Sequence, residues 1–338
     1  MMMSDSPQTL LPILQHVFPD RTDLRVGALR PLESRREQVN AFFIEWQAEG
    51  QQQSAALVLR RYPAPISPSG ISNGVDRAAR AAAVLKWLSG HDFPTPQVYG
   101  AGRDSQGDWL LVSALGGTNW WLPLGLVDFD RVLPGLTAQY VHLLVRLHSL
   151  DLSDGPSGDL VPTVTARGML DQMAQHLKRS IDPDVHNGLE RMGDLLTLIE
   201  ERPARLVHLD WGLENLRVNK QGEICAWVDW DDAVYGDPRW DLGALVNSLG
   251  QYQMRDLAKR AVRSYHTESV RPAKHISVWA ALVAVLRWMH AAWLLVQIKL
   301  NTAQPYPDME RFVNAYDSHK AWAYELLEDA ENDPDGFA

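Results

Sequence analysis

Cysteine, basic charge and a leading apolar segment are what this sequence has least of. Cys225 is the single cysteine in 338 residues, so neither an intrachain disulfide nor a cysteine-based metal site can form, and we expect a reducing, cytoplasmic setting. The first residues lack a basic stretch followed by an apolar run, so no secretory signal is predicted. The formal net charge of -10 disfavours nonspecific binding to nucleic acid, which needs a basic face.

Long uninterrupted apolar runs and hydrolase motifs are also missing. The most apolar region, Ile276 to Leu300, is interrupted by Arg287 and His290, which predicts a buried helix and no membrane association. No Gly-x-Ser-x-Gly elbow starts a serine hydrolase site, and no His or Glu cluster has zinc-ligand spacing.

The pattern of apolar residues changes near the end of the first third of the chain. Ala41 to Trp46 and Ala55 to Arg60 have the composition of strands, and Trp109 to Leu115 is extended again. Between them, Asp76 to Ser89 is rich in alanine and leucine and predicts a helix. Beyond Gly116 and Gly117 the apolar spacing becomes helical.

Two lobes therefore follow one another along the chain. We predict a strand-rich N-lobe over residues 1–115, whose first 20 residues are either helical or disordered, and a mainly helical C-lobe over residues 116–328. Residues 329–338 are predicted as an acidic tail. A cleft between two lobes is a common place for a ligand.

An extended segment inside the helical part carries the chemistry. It contains Asp210, Asn215 and Asp229, and the residues Lys220 to Glu223 between its last two strands form a plausible hairpin turn. Phosphoryl transfer needs a carboxylate near the acceptor hydroxyl and oxygen ligands for magnesium. Singly, each of the three residues suits an ordinary turn, but their order and spacing favour one shared site, with His208 packed beneath the loop.

In these residues the chain resembles the aminoglycoside phosphotransferase and choline kinase-like superfamily, which is related to protein kinases. The family loop reads His-Gly-Asp and is followed by Ile-Asp-Trp and Gly-Asp-Pro-x-x-Asp-Leu. Here the same positions read His208-Leu209-Asp210, Val228-Asp229-Trp230 and Gly236-Asp237-Pro238-Arg239-Trp240-Asp241-Leu242.

The resemblance implies an α+β, protein kinase-like fold of two lobes, with a small antiparallel sheet in the N-lobe and a larger, mainly helical C-lobe. It implies an ATP-dependent phosphotransferase that uses Mg²⁺ and acts on a hydroxyl group of a small molecule, such as an antibiotic, an amino alcohol, a sugar or a related metabolite. Asp210 would be the catalytic carboxylate, Asn215 and Asp229 would bind the metal, and Asp241 would brace the loop.

The nucleotide side of the cleft departs from the family pattern. Glu33 to Asn40 has no glycine where a glycine-rich turn would cover the phosphates. Arg60 stands in place of the strand lysine, and Ala81 in place of the helix glutamate that would hold it. By the same resemblance, the backbone from Ser113 to Leu115 would bind the adenine.

Two questions stay open at the level of sequence. Because of these departures, the alternative to an active enzyme is a pseudokinase-like binding protein that keeps the fold without turnover. The acceptor is not named, because Trp279, Trp288, Trp293 and Tyr306 suit either an aromatic pocket for a cationic substrate or the core.

Overall fold

The computed structural model describes residues 5–21, 23–32, 38–62, 76–119, 129–178, 182–210, 213–299 and 309–337. Within these ranges the chain has the predicted two-lobed α+β fold, a sheet followed by a mostly helical part. The elements of the N-lobe are, in chain order, α1 (Pro7–Val17), β1 (Arg25–Val26), β2 (Arg30–Leu32), β3 (Gln38–Ala48), β4 (Gln51–Tyr62), α2 (Arg77–Gly90), β5 (Val98–Asp104) and β6 (Gly107–Ser113).

The N-lobe sheet is antiparallel, in the order β1-β3-β4-β6-β5, with β2 also paired to β3. Strands β3 and β4 form a long hairpin closed by Glu49 and Gly50, whose φ angles of 52° and 76° are those that a tight two-residue turn requires. This turn fixes the register of β4 and therefore which of its side chains face the cleft.

Alternation along β4 separates its two arginines. Leu57, Leu59 and Arg61 are buried on the face covered by α1, whereas Arg60 lies on the opposite face. Arg61 binds Asp5 at 2.8 Å and Asp104 at 2.9 Å. The inward-facing Arg61 therefore anchors the segment at Asp5 to the sheet.

The predicted helix after the N-lobe hairpin is α2. Asp76 is its N-cap and accepts a hydrogen bond of 2.9 Å from the amide of Ala79. The helix packs its small side chains against the sheet and the C-lobe, so alanine here is a core residue.

The C-lobe contains three short strand pairs and a set of helices. Its elements are β7 (Thr118–Asn119), α3 (Phe129–Ser149), α4 (Ala166–Leu177), α5 (Pro183–Leu195), β8 (Arg205–Val207), β9 (Leu216–Val218), β10 (Ile224–Trp227), β11 (Val234–Gly236), α6 (Arg239–Gln251), α7 (Arg255–Glu268), α8 (Ile276–Lys299) and α9 (Met309–Asn332). β9 pairs with both β10 and β7, and β8 pairs with β11, all antiparallel.

Helix α8 is the apolar region that the sequence predicted to be buried. Among the described residues, this is the one helix that is both long enough and apolar enough to cross a membrane. The span is Ile276–Gln297, its mean hydropathy is 1.6, and 83% of it is buried inside the structure. A helix that is apolar all round is what the centre of a large lobe requires. It packs against α4, α5, α6 and α9.

The segment after residue 328, predicted to be a solvated acidic tail, begins inside helix α9, which continues to Asn332. Glu331, Asn332 and Asp333 are exposed. Ala330 shares a buried face with Ala323, Leu326 and Leu327, because these positions lie three or four residues apart. Phe337 is buried as well. Two apolar side chains of this mostly exposed segment therefore pack on the C-lobe core.

Candidate active site

The loop predicted to be catalytic runs from β8 to β9, and its two ends lie close together. Asp210 lies just after β8, and Asn215 directly precedes β9. The side-chain amide of Asn215 donates to Oδ2 of Asp210 over 2.6 Å. The first two of the predicted site residues are thus in direct contact at the rim of the cleft.

The backbone of Val228 joins this loop to the third predicted residue. Its amide donates to the carbonyl of Asn215 at 2.9 Å, and its carbonyl accepts from Nε2 of His208 at 2.9 Å. The β9–β10 hairpin, with Gly222 at φ 80°, turns the chain back toward the loop. Asp229 follows immediately, so Asp210, Asn215 and Asp229 lie on one side of the cleft.

His208 supports the loop from below. Its ring stacks on Trp227 at a centroid distance of 5.1 Å and meets the edge of Trp230 at 4.5 Å. The amide of Asp210 donates to Nδ1, which leaves the proton on Nε2 for the carbonyl of Val228. A neutral imidazole with both nitrogens engaged is a structural residue here.

Asp241, at the start of α6, braces the loop as the family resemblance implied. Its two carboxylate oxygens accept from the backbone amides of His208 at 3.1 Å and Leu209 at 3.2 Å. Leu209 has φ 62°, in the left-handed region that favours glycine. This is the position at which the family has glycine, and the two hydrogen bonds to Asp241 hold the leucine there.

A histidine extends the brace into the core. Nε2 of His148, on α3, lies 3.3 Å from the same carboxylate of Asp241, and Nδ1 lies 2.8 Å from the hydroxyl of Tyr265 on α7. Burial raises the pKa of Tyr265, so its hydroxyl keeps its proton and can donate. His148 therefore links Asp241 to the C-lobe core through two buried contacts.

The nucleotide side of the cleft is a cluster of alternating charges. Nη2 of Arg60 lies 2.5 Å from Oδ1 of Asp229 and 3.5 Å from Oδ1 of Asp231. Arg77, on α2, forms a second ion pair with Asp231 and lies 3.9 Å from Asp232. Sequence reasoning missed Arg77 altogether. The only local signal was the presence of three acidic residues within four positions, Asp229, Asp231 and Asp232, which require cations nearby.

Asp231 is the most buried member of this cluster. Burial raises the pKa of its carboxyl and the negative charge of Asp229 adds to the rise, while Arg60 and Arg77 oppose it. Its side chain is 3% exposed, against 35% for Asp229. The two carboxylates therefore differ in access, with Asp229 open to a ligand and Asp231 enclosed by cations.

Arg217, on β9, is the third arginine on this side. Its neighbours Leu216 and Val218 point into the core, and Arg217 points the other way and is half-buried. Burial lowers the pKa of its guanidinium, and the charge of Asp229 acts against that effect. The structure therefore places Arg217 within electrostatic reach of the cleft.

The predicted adenine hinge follows β6. The amide of Ser113 donates to the carbonyl of Gln97, and that of Ala114 donates to the carbonyl of Ala56, each at 2.8 Å. Of the three predicted residues, Leu115 alone has no backbone partner in the ranges that the structure describes. An adenine base would therefore meet its backbone first.

Gly116 and Gly117 follow this hinge, and the single cysteine of the sequence, Cys225 on β10, contacts them. Sγ of Cys225 lies 3.3 Å from the carbonyls of Gly116 and Arg217. Gly117 has φ 91°, and a side chain there would approach that sulfur to 2.7 Å. Burial raises the pKa of the Cys225 thiol.

The donor set fits a hard divalent cation such as Mg²⁺. No group of three or more His, Cys, Asp or Glu side chains in the described ranges forms a metal site by itself. The amide oxygen of Asn215 and the carboxylate of Asp229 would hold the ion, and both are oxygen ligands. The guanidinium beside Asp229 shows that this carboxylate already attracts a cation.

Of the aromatic residues considered for the acceptor, the described ones belong to the core. Trp279 and Trp288 are fully buried and Trp293 nearly so, while Tyr306 lies outside the described residues, as do residues 33–37 of the glycine-free turn. A groove of about 890 Å³ lies instead between α6, α7 and α9, lined by side chains such as Gln251 and Trp322. It is about 15 Å along α6 from Asp241, so we assign it no part in the chemistry.

The family model named phosphotransferase enzyme family matches residues 29–282, a stretch that includes strands β2 to β6 of the N-lobe sheet, the loop from β8 to β9, the charge cluster and α6. The chain belongs to this family. No curated protein matches it significantly. Family membership supports small-molecule phosphotransfer as the general activity.

Solved structures of phosphotransferases have the same fold. A choline/ethanolamine kinase family protein from Mesorhizobium loti is 20% identical with a TM-score of 0.60, over 89% of this chain and 88% of that one. The GDP and kanamycin complex of APH(2")-IIIa is 16% identical with a TM-score of 0.64, over 92% and 98%. A ternary complex of APH(4)-Ia with ADP and hygromycin B is 16% identical with a TM-score of 0.62, over 94% and 97%.

Proposed function

We propose that this member of the family transfers the γ-phosphoryl group of ATP to a hydroxyl group of a small molecule. The convergence of Asp210, Asn215 and Asp229 through the backbone of Val228 carries the proposal. Relatives of the same fold hold GDP or ADP together with kanamycin or hygromycin B, which are hydroxyl-bearing acceptors. A cytoplasmic location would supply the nucleotide.

Asp210 is the residue that we assign to the acceptor. Its Oδ2 is held by Asn215, so the carboxylate is oriented before a substrate arrives. The bond between the γ-phosphorus and the bridging oxygen of ATP breaks, a bond from phosphorus to the acceptor oxygen forms, and the hydroxyl proton passes to Asp210.

Asn215 and Asp229 would hold the metal ion. Mg²⁺ neutralises negative charge on the phosphates and fixes their orientation. Arg60 lies beside these residues and supplies a further positive charge for the phosphates, in a planar geometry that can bind two oxygens.

A screen of amino alcohols, sugars and antibiotics with Mg²⁺ and ATP, reading nucleoside diphosphate release, tests the proposal. We expect at least one class of hydroxyl compound to raise the release rate. Asp210→Ala should lower turnover of that compound by about 10²-fold or more while Mg-ATP binding is retained. Equal turnover in this variant would refute the role of Asp210.

The Arg60–Asp229 ion pair favours one second candidate, a pseudokinase-like binding protein. A cation already occupies the carboxylate that would bind metal, and a chain that no longer transfers phosphate could keep this arrangement permanently. Thermal melting separates the two candidates. In an active enzyme Mg-ATP should raise Tm, and Asp229→Ala should abolish the rise, whereas no shift at millimolar nucleotide supports the binding protein.

A further inference from the structure

Strand β4 and helix α2 are linked across the cleft although the usual link is missing. In kinases a strand lysine is held by a helix glutamate. Here Ala81 occupies the glutamate position and is buried among apolar residues. Arg60 nevertheless contacts two carboxylates of the segment after β10, those of Asp229 and Asp231.

Asp231 meets the requirements for a replacement of that glutamate. It is bound by Arg60 from β4 and by Arg77 from α2, so one carboxylate joins the two elements. The guanidinium groups of Arg60 and Arg77 also lie 5.4 and 5.2 Å from the ring of Tyr62, within the range of attraction between a cation and an aromatic face.

The position of Asp231 is set by contacts that involve no nucleotide. Arg80, fully buried on α2, donates from Nη1 to the backbone carbonyl of Asp231 at 3.2 Å and from Nε to that of Leu160 at 2.9 Å. Trp230, the residue before Asp231, is fixed by a hydrogen bond from its indole Nε1 to the carbonyl of Trp227. The carboxylate of Asp231 is therefore held in place from both its own segment and α2.

We infer that Asp231 is a positioning residue that holds Arg60 in the cleft for the phosphates, with Arg77 replacing the helix side of the missing ion pair. The inference rests on the proposed function. Asp229 and Asp231 then have different tasks: the exposed carboxylate is available to the metal, and the enclosed one retains the strand arginine. The usual lysine–glutamate pair becomes an arginine–aspartate–arginine bridge with the helix charge reversed.

The test is a double-mutant cycle on the dissociation constant of Mg-ATP, measured by calorimetry without acceptor. Asp231→Asn should weaken binding about tenfold, as expected for loss of a charge-assisted contact. In the Arg60→Gln background the same substitution should change the constant by less than about twofold, because a residue that acts through Arg60 has nothing left to position. If the two substitutions weaken Mg-ATP binding independently, so that their fold-changes in the dissociation constant multiply, the inference is overturned.

Arg77→Gln tests the coupling if Asp231→Asn fails to fold. This variant keeps the carboxylate of Asp231. It should weaken Mg-ATP binding several-fold when Arg60 is present, and it should have no effect on binding in the Arg60→Gln background. Equal weakening in both backgrounds would contradict the bridge. Arg103→Gln is the matched control, because it breaks an exposed Arg–Asp pair on the same sheet and should leave the constant unchanged.

The same measurements separate this inference from the proposed function. If the wild-type protein binds no Mg-ATP, both the proposed function and the positioning role of Asp231 are refuted. Wild-type protein that binds Mg-ATP, with independent effects of Arg60 and Asp231, would remove the positioning role alone.

Discussion

Arg60 on β4 and Asp229 after β10 are 169 residues apart in sequence, and their side chains form an ion pair of 2.5 Å across the cleft. The strand cation and the candidate metal ligand thus neutralise each other. A metal ion that approaches Asp229 must compete with the guanidinium of Arg60, so Arg60 weakens binding of the metal alone. The same guanidinium should strengthen binding of the nucleotide, because it attracts the phosphates.

Removing the arginine should therefore improve binding of the metal alone. In Arg60→Gln we expect Mg²⁺ without nucleotide to raise Tm by about 1–3 °C more than in the wild type, since Asp229 is released from its competitor. Mg-ATP should bind this variant more weakly than it binds the wild type. Melting curves over a magnesium titration check the first effect, and an unchanged response would show that Asp229 is not the metal ligand.

Leu209 should tolerate glycine and reject a β-branched residue. Its φ of 62° costs a leucine about 1–2 kcal/mol, and Leu209→Gly relieves this while losing chain stiffness and some buried surface. The net change in the free energy of unfolding should stay within about 1 kcal/mol. Leu209→Val should destabilise by more than the glycine variant does. Urea unfolding compares the two, and the reverse order would mean that packing, not backbone conformation, decides the residue.

Loss of the Asp241 brace should affect both stability and turnover. Asp241→Asn replaces one acceptor oxygen by a donor, so one of the contacts to His208, Leu209 and His148 is lost, at a cost of about 2 kcal/mol. Turnover should fall because the catalytic loop is no longer held. Denaturant midpoints and steady-state rates measure the two effects.

Asp237→Asn is the matched control for this experiment. Asp237 is as buried as Asp241, but it binds Arg239 and the amide of Arg202, away from the catalytic loop. We expect a similar loss of stability with little change in turnover by the folded protein. If both variants lose turnover equally, the effect of Asp241 reflects general stability.

The half-buried His319 on α9 should make the protein less stable in mild acid. Burial, with the charge of Arg287 acting in the same direction, lowers the pKa of His319 from 6.5 to about 4. Between these values the unfolded chain binds a proton that the folded chain does not, so this contribution is complete above pH 6.5 and declines as pH falls toward 4. The Tm difference between pH 7.5 and 5 should be smaller in His319→Gln, and an equal difference would assign the acid sensitivity to other groups.

The sequence predicted those features that depend on local pattern. The β3–β4 strands, helix α2 with its Asp76 cap and the hairpin around Gly222 each follow from residue periodicity or turn chemistry over a few positions. The contact of Asp210 with Asn215 also lies within one short loop.

Features that depend on pairing between distant segments were not predictable in the same way. Arg77 and Asp231 are 154 residues apart, and nothing in the local sequence of α2 indicates which acid its arginine meets. The left-handed backbone of Leu209 was hidden because the residue type gives no sign of it. The burial of Ala330 and Phe337 was hidden for a related reason, since the acidic composition of the segment after residue 328 obscured its two apolar contacts.

The Cys225 sulfur, which lies against the carbonyls of Gly116 and Arg217, has a practical consequence. Because it is the one thiol in the sequence, a maleimide or a fluorinated alkylating reagent would modify a single atom, located where the two lobes join. The group attached there would need space that the Gly117 turn does not provide. The rate of alkylation would therefore report how often the Gly116–Gly117 segment moves away from the sulfur, and its change with nucleotide would show whether a ligand alters that movement.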